Sequence, residues 1–341
     1  MASRYHKYIK PKKDIGDELT ERELKKLEKR IAKVYGEAHE EIQKEMDSFV
    51  ANLRSEEQRW LDDLAAGKVT EKEFEEWKKL QFTRGEAWIQ KREAIAETLY
   101  NSNQVAADMV NGTMRNIFTI NANYAAYRLE KDAGVNLTFS LYNQTTIRKI
   151  LKDNARILPS KNIRKQKDKR WNFQNIKNEV AKGIIKGESV PKIAQRLADH
   201  MPDRNEHLLQ THARTMVTSA QNQGRMERYH EAEDLGIELQ KVWVAALDNK
   251  TRYEHAALDG QVRDIDKPFE IEGYQIMEPG DPTAEPVMVY NCRCRMDSVL
   301  KNFPRQFTER RDAKTGELYT NMTYREWYEA KGGDFEALRK G

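Results

Sequence analysis

The chain has 341 residues, of which 38% are hydrophobic and 33% charged, against averages of about 45–50% and about 25% in globular domains. That balance suits an elongated, helical protein of two or three domains, and no apolar run approaches the roughly 18 residues needed to cross a bilayer. Lysine and arginine number 59 against 55 acidic residues, a net charge of +4, too near neutral to argue for nucleic-acid binding unless the charge is unevenly spread.

In chain order, residues 1–19 read as a basic, flexible arm, with Arg4, Lys7, Lys10, Lys12 and Lys13 around Pro11 and Gly16. Its charge has no apolar segment behind it, unlike a secretory signal. Thr20 and Glu23 have capping-box spacing and predict a helix start. Leu24, Leu27, Ile31, Val34, Ala38, Ile42, Met46, Phe49 and Leu53 then recur every three or four residues, an apolar stripe on a helix that runs to Ala66 before Gly67. A second box, Thr70 to Glu73, opens another long helix carrying Phe74, Trp77, Trp88, Ile95, Leu99, Ala106 and Met109, with a break at Thr83–Gly85. Two such stripes over residues 20–136 predict an antiparallel hairpin or coiled coil.

Residues 137–236 read as a helical middle region. A non-helical connection at 137–147 leads to a helix from about Thr145 to Leu158, ended by Pro159. Between residues 148 and 170, ten basic residues stand against Asp153 and Asp168, a local net of +8, with Lys161, Arg164, Lys165, Lys167, Lys169 and Arg170 at its core. Phosphate, an acidic protein surface or plain solvent would each suit this cluster. A small helical pair follows around Gly187, with Ser189 as N-cap and Pro191 in the first turn. A longer helix spans about Glu206 to Leu235. Its His207, His212 and His230 lack the spacing of a helical metal pair.

After Gly236 the pattern changes to a small α+β unit over 237–300. Leu239–Leu247 is strand-like, Thr251 and Glu254 form a third capping box, and Gly260 stops that helix. Further strands are expected at 261–262, 269–271, 274–276 and 287–290, while the proline-rich 278–286 stays irregular. Residues 301–341 form a polar tail with a short amphipathic segment at Thr323–Tyr328. The fold class is thus mainly α, with long N-terminal helices, a helical middle region and a small α+β C-terminal unit.

Only two cysteines occur, Cys292 and Cys294, which excludes a disulfide framework and fits a reducing compartment. They belong to a spaced constellation: Trp243, Asp248, Thr251, Arg252, His255, Asp259 and Gly260, then Asn291-Cys292-Arg293-Cys294. His255 and Asp259, four apart, would share a helix face, and two thiolates can join an imidazole around zinc, with Asp248 or Asp259 as fourth ligand. A hydrogen-bonded fold lock is the competing reading, with Asp248 capping the helix, Arg252 paired and the cysteines as small buried side chains. A cysteine–histidine nucleophile pair or a nuclease-like metal site is the third.

This string resembles the Mu-F-like family of phage minor head, or head morphogenesis, proteins, over roughly residues 140–300. It departs from the family where Met216 follows Arg214-Thr215 and many relatives carry an acidic residue. The resemblance implies a non-enzymatic, low-copy head component of a bacteriophage virion. It would be made in the host cytoplasm and bind the portal protein. Packaged DNA and the major capsid or scaffold protein are further partners, and no membrane is. Its roles would be viral assembly, DNA packaging or ejection. Some members carry appended enzyme domains, whereas 47 residues follow Cys294 here. No cofactor is implied with certainty, zinc being the candidate. The alternative function is a metal-bound DNA-binding module or nuclease.

Overall fold

Apolar side chains three and four apart force most of the chain into helices that bury one stripe. The computed structural model describes residues 15–136, 139–143, 165–245, 251–301, 309–312, 318–320 and 328–340. Helices α1 (Ile15–Ala65), α2 (Glu71–Gln81) and α3 (Glu86–Ala133) come first. Strand β1 (Val135–Asn136), α4 (Lys165–Ile185) and α5 (Val190–Asp234) follow. Then come β2 (Leu239–Val244), α6 (Tyr253–Ala257), β3 (Val262–Asp264), β4 (Phe269–Ile271) and β5 (Tyr274–Ile276). Helix α7 (Pro286–Val289), β6 (Arg295–Leu300), β7 (Glu309–Asp312), β8 (Leu318–Thr320) and α8 (Phe335–Lys340) complete the order. No described helix is long and apolar enough to cross a membrane. The fold is mainly α with a small α+β C-terminal part, as the sequence predicts.

Two units divide the chain. The helical unit comprises residues 28–109 and 161–210. Its core joins Ile42, Met46, Phe49 and Leu53 of α1 to Trp88, Ile95 and Leu99 of α3 and to Ile193, Leu197 and Met201 of α5. Phe49 meets Trp88 at 5.6 Å, Lys91 reaches Glu45 and Tyr35 bonds Asn103, so α1 and α3 run antiparallel here. The break near 83–85 is real: the N–H groups of Thr83, Arg84 and Gly85 all turn back onto the Leu80 carbonyl. The Thr70–Glu73 capping box is fully formed. At the start of α5, the Val190 N–H donates to Glu57 Oε1 at 3.0 Å, which satisfies one of the helix's orphan donors.

The mixed unit comprises residues 1–27, 110–160 and 211–341. Its central sheet has the order β3-β2-β6, with β2 antiparallel to both neighbours. Five of the six β2 residues are buried, so both faces are covered. A second sheet has the order β1-β7-β8, and β4 pairs with β5 as a hairpin. Against the sheet lies α5, which α3 approaches so closely that a Cβ on Gly224 would stand 2.5 Å from the Phe118 carbonyl oxygen. Gly280 (φ +84) similarly brings the proline-rich loop onto the Ser219 backbone of α5.

Several expected boundaries change. Thr20 lies inside α1 and caps nothing: its hydroxyl donates to the Gly16 carbonyl and accepts from buried Asn121. Arg252, not Thr251, precedes α6, and no side chain caps it. The two helices expected around 190–200 and 206–235 are one, because Pro202 is accommodated inside α5. Val287–Tyr290 is not a strand. Pro286 opens the short helix α7 there, since it sets φ without needing an N–H. The strand pairing with β2 is instead Arg295–Leu300, whose Arg295, Asp297 and Ser298 had hidden it. The predicted helix at 145–158 and most of the segment at 323–328 lie outside the described residues.

Candidate functional site

Strand β2 brings Trp243 to the centre of the mixed unit, fully buried and opposite Met296 of β6. Its ring meets His255 edge-on at 5.7 Å and Phe269 at 5.3 Å. The Trp243 carbonyl accepts from the Gly260 N–H, and Gly260 takes the φ of +78 that this return turn requires. Asp259 Oδ1 accepts from the Ala245 N–H at 2.7 Å. These bonds fasten the α6 turn to the end of β2.

Helix α6 ends at Ala257, so the expected His255–Asp259 face does not form. Asp259 is occupied with the backbone of Ala245, while His255 points the other way, into the interior. His255 Nδ1 lies 3.4 Å from Cys292 Sγ and 3.5 Å from Cys294 Sγ. All three side chains are only 2% exposed. Among the described residues, this trio is the group whose donor atoms could jointly hold a metal. The hydrogen bond with Cys294, followed by burial, pushes the Cys292 thiol well above its ordinary pKa. Arg252 Nη1 donates to the Tyr290 carbonyl at 2.8 Å, and its Nη2 sits 3.2 Å from His255 Nε2.

The cysteine loop is held from outside by α5. Thr215 Oγ1 accepts from the Asn291 N–H, and Thr218 Oγ1 donates to the Cys292 carbonyl at 2.6 Å. Asn222 donates to the Cys294 and Pro279 carbonyls and accepts from the Met296 N–H at 2.7 Å. Positions 215, 218 and 222 follow the three- and four-residue spacing of one helix face. Sequence reasoning missed this row; the available signal was three short polar side chains at helical spacing, Thr215, Thr218 and Asn222. Asn291 takes a φ of +55, a left-handed conformation that asparagine tolerates better than most residues.

Other expected residues lie elsewhere. Thr251 is half-buried beside Arg252, and Asp248 lies outside the described residues, as do Lys161 and Arg164. Lys165, Lys167, Lys169 and Arg170 sit in the first turns of α4 rather than in a loop, and Arg170 is exposed. The open groove between Glu270–Gln275 and Thr283–Glu285 includes none of the motif residues.

Residues 174–297, from within α4 into β6, match the family described as Phage Mu protein F like protein. Over that segment the chain is similar to the Mu F-like family. Every described motif residue falls in this Mu F-like segment. Minor head protein GP7 of Bacillus phage SPP1 is 26% identical over 314 residues, covering 85% of this chain and 97% of that protein. An Enterococcus faecalis protein named NAD(+)–arginine ADP-ribosyltransferase EFV is 30% identical over 207 residues, or 59% of this chain. This chain spans 40% of that enterococcal protein. No solved structure matches the chain. Its similarity to Mu F-like proteins supports a minor head protein of a phage.

Proposed function

We propose that this chain is a non-enzymatic component of the virion, sited inside the phage head near the portal, where it binds the portal protein and supports head assembly and DNA packaging or ejection. The observation that carries this reading is the reach of the similarity to the SPP1 minor head protein, which takes in 97% of that protein. A shared module would account for the Mu F-like segment alone, whereas this match extends over 85% of the chain.

The basic segment supports a polyanionic contact. Lys165, Lys167, Lys169 and Arg170 occupy the first turns of α4, where the helix dipole already presents positive charge. Cations there repel that dipole, and an opposing phosphate or carboxylate relieves the repulsion. Packaged DNA and an acidic face of the portal both supply such groups.

Co-sedimentation of the full chain with its cognate portal oligomer, with and without DNA, across a salt series tests the proposal. Saturable binding to portal without DNA is expected, weakened by charge reversal at Lys165, Lys167, Lys169 and Arg170. Absence of portal binding at low salt, alongside tight DNA binding, would sink it in favour of a DNA-binding module. Incubation with NAD+ and an arginine-rich acceptor is the companion assay: turnover above background would overturn the non-enzymatic reading.

A further inference from the structure

The two cysteine sulfurs and the histidine nitrogen converge on one point. His255 Nδ1 stands 3.4 and 3.5 Å from the sulfurs, and all three atoms lie within 4.8 Å of one another. Tetrahedral zinc, with Zn–S near 2.3 Å and Zn–N near 2.0–2.1 Å, has S···N edges of about 3.6 Å and an S···S edge of about 3.8 Å. Both S···N edges are already close to that spacing. We propose that His255, Cys292 and Cys294 are the protein ligands of a zinc ion, with a solvent oxygen in the fourth position. Two soft sulfurs with an imidazole suit zinc, whereas magnesium and calcium require oxygen.

The supporting shell favours an ion over a simple hydrogen-bonded lock. A single Nδ1–H serves one acceptor well, yet the two sulfurs stand at nearly equal distances from Nδ1. A shared cation serves both. The Cys294 N–H donates to Cys292 Sγ at 3.4 Å, a bond that strengthens when that sulfur carries charge. Thr215, Thr218 and Asn222 fix the backbone at Asn291, Cys292, Cys294 and Met296 and leave both sulfurs to face inward. Trp243 packs edge-on against the imidazole and fixes its orientation. Ligands held by such outer contacts need little reorganisation on binding.

Protons balance as follows. Two thiol protons leave to solvent as zinc enters. The imidazole stays neutral: Nδ1 binds the ion and Nε2 carries the proton. Arg252 has donors only, so its Nη2 turns away from Nε2 on loading, while Nη1 keeps the Tyr290 carbonyl. The ion would clamp the α6 turn to the cysteine loop 37 residues further along the chain.

The test uses the full chain in reducing buffer, stripped by a chelator and reloaded with zinc or cobalt alone. Expected results are one ion per chain, sulfur-to-cobalt charge-transfer absorption with tetrahedral cobalt bands, and thermal stability that falls on stripping and returns with zinc but not magnesium. Cys292→Ser, Cys294→Ser and His255→Asn should each weaken zinc binding by about 100-fold or more. Should those variants fail to fold, the strip-and-reload cycle on the unaltered chain decides alone. Folded, reduced chain that takes up neither zinc nor cobalt overturns the proposal. So does stoichiometric zinc that persists unchanged in the folded cysteine variants, since the ion would then sit elsewhere.

Discussion

The core of the helical unit is a set of interlocking apolar stripes: Ile42, Met46 and Phe49 against Trp88, Ile95 and Leu99, with Ile193 and Leu197 closing over them. The mixed unit adds buried guanidinium groups to its apolar core. Arg225 is 1% exposed, yet it donates to Asn121, to the Met296 carbonyl and to Asp17, which Arg295 also pairs at 2.5 Å. Arg228, fully buried, lies 3.5 Å over the Tyr142 ring and donates to the Ser140 carbonyl. The contrast separates two ways of holding helices. Apolar stripes supply non-directional burial and tolerate small shifts, whereas a buried fork of donors accepts one arrangement and penalises every other.

The sharpest way to break that contrast is to remove the fork. Arg225→Ala should destabilise the mixed unit by about 3–5 kcal/mol, because it strands buried partners; urea unfolding followed by a probe in that unit measures it. In the helical unit, Leu99→Ala should cost about 3 kcal/mol through the cavity it leaves. If Leu99→Ala proves the costlier of the two under the same denaturant series, the buried ions are not the main fastening of the mixed unit.

A pH series refines the comparison. Burial, helped by the Asp281 charge, pushes Glu278 up to about 7, and burial pulls Lys241 down to about 8. Lys241 nonetheless donates to the Ile265 and Met277 carbonyls at 2.9 Å. For Glu278 the folded pKa exceeds the unfolded one, so the native state holds the extra proton, and its contribution is lost as pH rises from about 4.5 to 7. Glu278→Gln removes that titration. It should gain about 2 kcal/mol on the unaltered chain between pH 5 and 7.5, read as a gap between two unfolding curves that widens with pH. A constant gap would show that Glu278 does not titrate in that window. The smallest effect belongs to the helical unit: Thr70→Ala should cost about 1 kcal/mol by opening the capping box, detectable as faster amide exchange in the first turn of α2.

The same contrast explains what the sequence revealed. Stripe residues Leu27, Ile31, Ala38, Ile42, Met46, Phe49 and Leu53 were readable because helical spacing and burial coincide there. The buried face of α5 was not. Residues 220–226 are all buried, including Gln221, Asn222, Gln223 and Arg225, and polar side chains read as a solvent face when their partners lie far away in sequence. Charge within β6 hid a strand for the same reason. Of the motif string, Trp243, Arg252, His255, Cys292 and Cys294 gather, while Asp259 turns to the backbone. Spacing alone placed His255 and Asp259 together only on the assumption of a longer helix than the two turns before Gly260 permit.

The Arg225–Asp17 ion pair spans 208 residues, and the same guanidinium waits for the carbonyl of Met296. During synthesis, every segment of the helical unit has been added by residue 210. The mixed unit must hold Asp17, Asn121 and Arg225 without their last partners until β6 emerges. These long-range contacts therefore close late, an order that a nascent chain arrested before residue 295 should betray as heightened protease sensitivity around Arg225.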